Sequence, residues 1–355
     1  MSHKITLIPG EGIGPEIIKV AVDVLDAAGA DIEWDIYEDS QNVTGIVESI
    51  KKNAVALKGP IATPIGDGYR SINVRLRKEL DTYANIRPVK SFDGVHTPFK
   101  NVDIVTIREN LEDLYAGIEF KEGEEETQDL IDYIASIGNA KQPRIAVPRI
   151  GDDSGISIKS VSITASEHIA YFAFEYAQKY NRKKITAIHK ANIIKFTDGL
   201  FLETARRIAQ KYPEIEFEDI IVDAAAMGLV RNPQEFDVLL CPNLYGDILS
   251  DLCAGLVGGL GVAPSANMGE KYAIFEAVHG TAPAIAGQNK ANPTALLLSA
   301  VMMLEYLEEQ KIAQNIRHAV EKVIKKGKEV TSDLRLDKKV GVGTQEMGKA
   351  ILNNL

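Results

Sequence analysis

Predicted strands and helices alternate along most of this chain, and that alternation constrains the fold more than any other feature. Residues 4–9 form a short apolar run of the kind found in a buried strand. Pro15 suits the first turn of a helix, which we expect to end near Ala28. Another strand is expected over 31–37, and the alternation continues to Leu80. The pattern predicts an α/β protein, in which helices cover the faces of a sheet.

The rest of the chain contains further elements, which apolar periodicity and turn residues indicate. Strands are predicted over 85–88, 102–108, 155–161, 184–189, 217–222 and 236–241. Helices are predicted over 165–179, 196–212, 245–254, 294–308, 313–327 and 344–352. The acidic segment 123–151 differs, because Pro143 and Pro148 follow a short helix expected at 127–137. We interpret this segment as an inserted arm.

Length and charge limit the kind of protein. A chain of 355 residues with 45% apolar and 25% charged residues predicts a globular protein of two domains. The net charge of −10 disfavours nucleic-acid binding. No apolar run reaches the roughly 20 residues that span a bilayer, so no membrane association is expected. Cys241 and Cys253 lie in apolar surroundings and are expected to be small core residues in a reducing compartment. The first residues enter a strand without targeting character, so we expect a cytoplasmic protein, or a mitochondrial matrix protein if the source is eukaryotic.

Arginine, serine and asparagine side chains concentrate in two short stretches of this acidic chain, at 71–77 and 107–115. Arginine binds carboxylates through a planar fork and stays charged at any working pH. Surface ion pairing is the alternative role for such arginines. The concentration of these side chains favours a pocket for a small polycarboxylate, with these candidate ligands: Ser71, Asn73, Arg77, Arg87 and Arg108.

Two aspartates, Asp247 and Asp251, are spaced i and i+4 on a predicted helix and therefore share one face. Such a pair is unfavourable unless a cation lies between the carboxylates, and hard oxygen ligands suit Mg²⁺ or Mn²⁺. Asp223, at the end of a predicted strand, is a third candidate ligand. In the alternative interpretation, Asp247 caps the helix and Asp251 is solvated.

Lys190 follows an apolar strand, where a lysine either extends to solvent or has a function. A nearby divalent cation repels the ammonium form and so makes Lys190 a plausible proton carrier. Its occurrence in one chain with Tyr115, the arginine group and the aspartates favours the functional interpretation.

Two glycine-rich loops are candidates for nucleotide binding. Gly10–Gly14 has the spacing G-x-G-x-G rather than G-x-G-x-x-G, so we expect a tight turn near the site instead of a dinucleotide fingerprint. The loop from His279 to Gly287 offers backbone N–H groups, a hydroxyl and an imidazole but no Lys or Arg. A ribose 2′-phosphate needs a cationic partner, so this loop favours NAD over NADP. For His279, an interior histidine bonded to backbone is the alternative.

Together these segments resemble the isocitrate and isopropylmalate dehydrogenases, a β-decarboxylating family that includes homoisocitrate and tartrate dehydrogenases. The resemblance extends from Ile8 to the last helix, with Glu11 where the family usually has Asp. Ser71, Asn73 and Arg77 match the S-x-N-x-x-x-R motif that binds isocitrate carboxylates. Isopropylmalate enzymes have apolar residues there, and homoisocitrate enzymes typically lack at least the Asn. The resemblance thus implies isocitrate as substrate, with homoisocitrate or another 3-substituted malate as the alternative.

The resemblance also assigns roles to the other candidate residues. Arg87 and Arg108 match the remaining substrate arginines, and Tyr115 and Lys190 match the catalytic residues. The family's metal ligands correspond to Asp223, Asp247 and Asp251. In relatives the lysine and the first aspartate reach the site of the neighbouring protomer, which implies a homodimer or higher homo-oligomer with shared active sites. A noncatalytic regulatory subunit is a further alternative, but such subunits tend to lose catalytic residues that this chain keeps.

The cofactor loop of the family corresponds to His279, Gly280, Thr281, Ala282, Ala284 and Ile285, with Asn292 near the adenine. NADP-using relatives have Lys and Tyr at Ala284 and Ile285, and Tyr and Arg at Ser332 and Leu336. NAD-using relatives commonly have Asp at Ala284, from which this chain departs. The resemblance implies NAD as cofactor.

The implied fold has a large α/β domain, a smaller α/β domain and a clasp arm that holds the partner protomer. The boundaries we expect are 1–82 and 258–355 for the large domain, 83–112 and 163–257 for the small domain, and 113–162 for the arm. In the implied reaction, Lys190 removes the substrate hydroxyl proton, directly or through Asp223, and Tyr115 returns a proton after decarboxylation.

Overall fold

A computed structural model describes most of the chain: 2–63, 71–140, 150–335 and 340–355, with the backbone alone at 138–140. The predictions made for Pro143, Pro148 and Leu336 lie outside the described residues.

The strands of the described chain form one large sheet and one small one. They are β1 (His3–Ile8), β2 (Ile32–Ile36), β3 (Val55–Lys58), β4 (Ala84–Lys90), β5 (Asp103–Glu109), β6 (Glu119–Phe120), β7 (Ile156–Ser157), β8 (Lys184–His189), β9 (Glu216–Ile221), β10 (Val238–Cys241), β11 (Pro264–Met268) and β12 (Ala273–Ala277). The large sheet has ten strands in the order β2-β1-β3-β12-β11-β4-β5-β10-β8-β9, and β6 pairs with β7.

Helices cover both faces of the large sheet. They are α1 (Gly14–Ala27), α2 (Val43–Asn53), α3 (Ile72–Glu79), α4 (Glu125–Ala140), α5 (Ile163–Lys179), α6 (Asp198–Ala209), α7 (Val222–Arg231), α8 (Asn243–Val257), α9 (Thr294–Tyr306), α10 (Gln310–Lys326) and α11 (Thr344–Leu352). The α/β prediction is confirmed. None of these helices combines the length and the apolar character needed to cross a bilayer.

Side-chain patterns explain why the central strands are buried. β5 is buried at six of its seven positions and β10 at all four, which is expected for strands covered by helices on both faces. One apolar core joins α1, α9, α10 and α11 to the sheet, and a second lies between β4, β5, β8 and β10 and the helices α5 and α6. Cys241 and Cys253 are free and buried in the first core, in agreement with their expected role as small core residues.

Sequence periodicity predicts no strand between Gly261 and Thr294, where the structure has the antiparallel pair β11 and β12. β11 begins with a proline and contains the buried polar residues Ser265 and Asn267, so it lacks an apolar pattern. Their side chains are buried at no great cost because both bond to Asn85, with N···O distances of 3.0 Å.

Other predicted boundaries move by a few residues. The helix expected over 196–212 is α6, from Asp198 to Ala209, and the strand expected over 155–161 reduces to the two residues of β7. The helix expected to begin at Tyr245 begins two residues earlier, at Asn243, after the N-cap Pro242. Asp247 is therefore the fifth residue of α8, and the interpretation of this side chain as a helix cap is wrong.

The sheet topology places several candidate residues at the carboxyl ends of neighbouring strands. β5, β10, β8 and β9 are neighbours and run parallel, so their carboxyl ends lie together. Arg108 is near the end of β5, and Asp247 is in α8, which follows β10. Lys190 directly follows β8, and Asp223 is in the first turn of α7, directly after β9.

Candidate active site

Two buried arginines face the aspartates of α8. Arg87, in β4, is 7% exposed, and its guanidinium lies 3.1 Å from Asp247 Oδ1 and 3.2 Å from Asp251 Oδ1. Arg108, in β5, is 1% exposed and also forms an ion pair with Asp247. A buried guanidinium without a partner carries a large desolvation cost, which these carboxylates offset. Arg87 and Arg108 are therefore not surface ion-pair partners.

Neutral side chains orient the two guanidinium groups. Arg87 Nε donates to Asn85 Oδ1 at 2.7 Å, and its Nη1 donates to Ser250 Oγ at 2.8 Å. Arg108 donates to Asn243 Oδ1 from both Nε and Nη2, at 3.0 and 2.7 Å. These orienting residues were not predicted from the sequence, although Asn243 at the start of a helix and Asn85 two residues before an arginine are recognisable signals.

A glycine lets α8 approach Arg108. A Cβ atom placed on Gly246 would lie 2.6 Å from Arg108 Cγ, closer than real Cβ contacts allow. This position therefore needs glycine, because the helix that carries Asp247 packs directly on the arginine side chain.

Burial and neighbouring charges shift the pKa values of the ionisable groups in this cluster in different directions. Burial raises the pKa of Asp247, but Arg108 and Arg87 more than offset that effect and hold it below its ordinary value. Burial raises the pKa of Asp251, which Arg87 opposes and Asp247 reinforces. Burial and the neighbouring Arg87 lower the pKa of Arg108 to about 10. With a pKa of about 10, Arg108 stays cationic at neutral pH.

Tyr115 joins the same cluster. It lies in a short 3₁₀ helix at Asp113–Ala116, and its hydroxyl donates a hydrogen bond to Asp247 Oδ2. The guanidinium carbon of Arg108 lies 4.7 Å from the centroid of the Tyr115 ring, within cation–π distance. Burial and the bond to Asp247 raise the pKa of the phenol, so the hydroxyl keeps its proton at neutral pH.

Arg77 and Asn73 present buried polar atoms without partners. Arg77, in α3, lies 3.8 Å from Glu276 Oε1, and its Nε has no hydrogen-bond acceptor among the described residues. Asn73 Oδ1 is also buried and unpaired in that part of the chain. Glu276 is held ionised by Lys58 and Arg77, which lower its pKa to about 2 against the effect of burial. Unpaired buried donors and acceptors are costly, so these atoms are suited to a ligand.

One small cavity connects the two predicted sites. It has a volume of about 100 Å³, and its lining includes Asn73, Arg77, Arg87, His279 and Gly280. Candidate substrate ligands and the first residues of the candidate cofactor loop therefore share one space. Ser71 has a different observed role, because its hydroxyl caps α3 by accepting from Val74 N at 3.5 Å.

The structure does not bring Lys190 and Asp223 into this cluster. The two side chains form an ion pair with each other, and Lys190 N donates to Asp198 Oδ2 at 2.7 Å. In the described parts of the chain, neither has a hydrogen bond or ion pair with the arginines or with Asp247. No three carboxylate, imidazole or thiol groups converge as a metal site within those parts either. Within one chain, Asp223 therefore pairs with Lys190, whereas Asp247 and Asp251 pair with the arginines.

The candidate cofactor loop follows β12. His279 Nδ1 lies 3.1 Å from Gly280 O, while its Nε2 is buried without a partner in the described chain, and burial lowers the pKa of the imidazole. Thr281, Ala282, Ala284 and Ile285 continue the loop, with Pro283–Ile285 in a 3₁₀ turn. Asn292 Nδ2 donates to Asp333 Oδ2 at 2.9 Å, and Thr294 N donates to Asn292 Oδ1 at 2.9 Å, which fixes the end of the loop at the start of α9.

The first glycine loop packs against the second. Ile13 N donates to Thr281 O at 3.0 Å. Gly12 has φ +61°, and a Cβ there would lie 2.1 Å from Thr281 O, so only glycine fits. The turn at Gly10–Gly14 therefore packs directly against Thr281 of the candidate cofactor loop.

Known proteins resemble this chain over nearly its whole length. The family model described as isocitrate/isopropylmalate dehydrogenase matches residues 4–351. The chain is 47% identical over 343 residues to a Drosophila melanogaster protein named as the probable alpha chain of mitochondrial NAD isocitrate dehydrogenase, a match that covers 94% of this chain and 83% of the relative. It is 47% identical over 358 residues to a Dictyostelium discoideum protein named as a regulatory chain of the same mitochondrial enzyme, with coverage of 99% and 93%. The crystal structure of isocitrate dehydrogenase from Methylococcus capsulatus matches with a TM-score of 0.88 at 46% identity, covering 99% of both chains.

Proposed function

Because the chain belongs to the isocitrate/isopropylmalate dehydrogenase family, we propose that it converts isocitrate and NAD⁺ to 2-oxoglutarate, CO₂ and NADH. The observation that carries this proposal is the single cavity lined by Arg77, Arg87 and Asn73 together with His279 of the cofactor loop. Substrate carboxylates and a nicotinamide could meet there, as hydride transfer requires.

The polar groups around this cavity favour a tricarboxylate. Two arginines, Arg77 and Arg87, line it beside the unpaired oxygen of Asn73, and Arg108 pairs with the same carboxylate of Asp247 as Arg87. Isopropylmalate enzymes carry an apolar wall where this chain has Ser71 and Asn73. Homoisocitrate or another 3-substituted malate is the runner-up substrate, since the same arginines would bind its malate portion.

Asp247 and Asp251 supply oxygen ligands suited to Mg²⁺ or Mn²⁺. They lie one turn apart on α8, and burial raises the pKa of Asp251 while the nearby Asp247 adds to that shift, so a cation between them relieves repulsion. The partner's Asp223 would complete the set. When bound, the metal supplies the Lewis acidity that stabilises negative charge on the substrate oxygen during loss of CO₂.

The loop from His279 to Ile285, with Asn292, would bind NAD. Its unpaired His279 Nε2 and its backbone N–H groups offer polar partners without a fixed positive charge. The absence of Lys and Arg between His279 and Gly287 argues against binding of a 2′-phosphate.

Tyr115 and Lys190 would carry out the proton transfers. The Tyr115 hydroxyl is protonated and aimed at Asp247, so it can return a proton to the carbon that loses CO₂. Lys190, paired with Asp223, would take the proton of the substrate hydroxyl as hydride leaves, directly from its neutral amine form or through the Asp223 carboxylate. Arg77, Arg87 and Arg108 hold the substrate carboxylates so that both proton transfers occur at fixed atoms.

The separation of Lys190 and Asp223 from the other groups supports a shared site in a homodimer or higher homo-oligomer. Exposed apolar side chains lie on the helix of Asp223 and on the helix of Asp247: Met227 and Val230 on α7, and Ile248 on α8, are 56%, 49% and 59% exposed. Such side chains on two adjoining helices suit a second copy of the chain. The domain boundaries, the clasp arm at 113–162 and a location in the cytoplasm or mitochondrial matrix belong to the same proposal.

A noncatalytic regulatory subunit is the candidate from another class, since one relative is named as a regulatory chain. The presence of Tyr115, Lys190 and the three aspartates argues against it.

Initial rates test the proposal. We expect NADH formation from isocitrate with Mg²⁺, with a kcat/KM at least about tenfold above that for homoisocitrate or isopropylmalate. EDTA should abolish the rate and added Mg²⁺ should restore it. A preference for homoisocitrate would contradict the substrate assignment, and no turnover of any 3-substituted malate would favour the regulatory role.

A further inference from the structure

Lys159 bridges two buried carboxylates that lie outside the cluster described above. Its Nζ is 2.7 Å from Asp198 Oδ1 and 3.5 Å from Asp113 Oδ1. Asp198 is 0% exposed and Asp113 is 1% exposed. Nζ also lies 4.6 Å from the centroid of the Tyr245 ring. Because buried carboxylates need a cation or several donors, Lys159 supplies a positive charge that the two carboxylates share.

At one end of the bridge, Asp113 fixes the turn that carries Tyr115. Asp113 has φ +66° and begins the 3₁₀ helix of Tyr115. Its Oδ1 accepts from Leu114 N at 2.8 Å, and its Oδ2 accepts from Leu244 N at 3.0 Å. The carboxylate thus stabilises a left-handed conformation and joins this turn to the start of α8, the helix of Asp247.

At the other end, Asp198 fixes the main chain of Lys190. Asp198 begins α6, and its Oδ2 accepts from Lys190 N at 2.7 Å. Lys190 directly follows β8, so this bond sets where the lysine leaves the sheet. Among the described residues, Lys159 has no hydrogen bond or ion pair with the side chain of Tyr115 or Lys190, and it acts through the two aspartates.

We propose that Lys159 is a positioning residue that holds the proton donor Tyr115 and the proton acceptor Lys190 in fixed relation through Asp113 and Asp198. The inference rests on the proposed function, in which Tyr115 serves the active site of its own chain and Lys190 serves the site of the partner protomer. Lys159 therefore couples the tyrosine of one active site to the lysine of the other.

Steady-state kinetics separate this role from a general loss of stability. Lys159→Met removes the charge and keeps the stem, so kcat should fall about 10-fold to 100-fold because two proton carriers are misplaced. The KM for isocitrate should stay within about threefold, because the arginines that bind substrate are not in the bridge. Lys159→Arg keeps the charge and should recover most of the lost kcat. Lys159→Gln is made as well, in case the methionine variant does not fold, and should show the same loss confined to kcat.

Lys184 provides a matched control. Its Nζ lies 3.0 Å from Glu218 Oε1, and its side chain is 19% exposed, against 15% for Lys159, but it begins β8 at the opposite edge of the sheet. Lys184→Met should leave kcat and KM within about twofold of the parent. An equal fall in kcat for Lys184→Met and Lys159→Met would overturn the proposal, as would a Lys159→Met enzyme with altered KM and normal kcat.

A tagged heterodimer tests the coupling between sites. One protomer carries Tyr115→Phe and the other Lys190→Met, which leaves one complete site, built from Tyr115 of the second protomer and Lys190 of the first. Lys159→Met is then added to either protomer. We expect kcat to fall in both cases. In the first protomer the substitution would displace Lys190 of the complete site, and in the second protomer it would displace Tyr115. A fall in only one case, or in neither, overturns the coupling. Inactivity of the parent heterodimer would instead contradict the shared site, and the homodimer kinetics would still decide whether Lys159 positions these residues.

Discussion

The hydroxyl of Tyr115 donates to Oδ2 of Asp247, while the other oxygen of the same carboxylate pairs with Arg87 and Arg108. A candidate proton donor, a candidate metal ligand and two candidate substrate ligands thus meet at one side chain. Occupation of the arginines by substrate carboxylates would compete with Asp247 and free its oxygens for a cation. The relationship gives distinct expectations for each residue.

Tyr115→Phe should separate proton return from hydride transfer. Loss of the hydroxyl should lower steady-state turnover about 100-fold or more, because a general acid typically contributes at least that factor. The first turnover of NADH formation, followed by stopped-flow absorbance, should stay within about threefold of the parent. Tyr171→Phe, which removes a hydroxyl bonded to Lys211 on the surface, is the control. Equal loss of both phases would remove Tyr115 from this role.

Arg108→Lys should weaken substrate binding while the charge is retained. A lysine has no planar fork, so it cannot bond Asn243 through two nitrogens and at the same time pair with the Asp247 carboxylate. We expect the KM for isocitrate to rise about 10-fold to 100-fold, the worth of a lost charge-assisted contact. Arg75→Lys is the matched control, since Arg75 is half-exposed and pairs with Glu79 on the surface of α3. An Arg108→Lys enzyme with a parental KM would show that this arginine does not contact substrate.

Two substitutions in the cofactor loop should shift the choice of dinucleotide. Ala284→Lys with Ile285→Tyr places a cation and a phenol in a loop that has neither. The ratio of kcat/KM for NADP⁺ to that for NAD⁺ should rise at least about tenfold, because the ribose 2′-phosphate gains a charged partner. Gln210→Lys, at the end of α6, adds the same charge elsewhere. Gln210→Lys should leave the ratio unchanged, and the loop is wrongly assigned if Ala284→Lys with Ile285→Tyr leaves it unchanged as well.

Glu276→Gln should cost stability in a pH-dependent manner. The folded pKa of Glu276 is about 2, below the ordinary value of 4.5, because Lys58 and Arg77 outweigh burial. A depressed carboxyl pKa stabilises the fold above pH 4.5, and that contribution is lost as the pH falls toward 2. In urea unfolding at pH 7, Glu276→Gln should therefore lower the free energy of unfolding by about 3 kcal/mol relative to the parent. This difference should become smaller as the pH falls below 4.5.

The control for Glu276→Gln is Glu33→Gln, which removes a carboxylate from an exposed pair with Lys4. It should leave the free energy of unfolding nearly unchanged, because an exposed ion pair contributes little. A difference between Glu276→Gln and the parent that stays constant from neutral pH to well below pH 4.5 would mean that the ionised carboxylate is not the stabilising form.

Sequence patterns predicted the elements on which the candidate residues lie, but only the sheet register shows which residues meet. Arg87 and Arg108 are 21 positions apart in sequence, and they become neighbours because β4 and β5 pair antiparallel, with Asn85 opposite Arg108. Local spacing carries no information on that register. By contrast, apolar periodicity predicted α8, and the neighbouring positions of Asp247 and Asp251 follow from their spacing within that one helix.

Buried polar networks were the part that the sequence analysis missed. Asn85, Ser265 and Asn267 are polar residues inside strands, so periodicity treats them as breaks, whereas hydrogen bonds between neighbouring strands offset their burial. The Lys159 bridge was missed for the same reason, because its partners Asp113 and Asp198 come from distant segments.

The tagged heterodimer of Tyr115→Phe and Lys190→Met protomers, without further changes, tests most directly whether one active site is built from two copies of the chain. Each homodimer should be nearly inactive in steady-state NADH formation with isocitrate, NAD⁺ and Mg²⁺. The heterodimer should recover about half of the parental kcat, because symmetry leaves one of its two sites intact. A heterodimer as inactive as both homodimers would show that Tyr115 and Lys190 of the same chain serve one site, and would contradict the account.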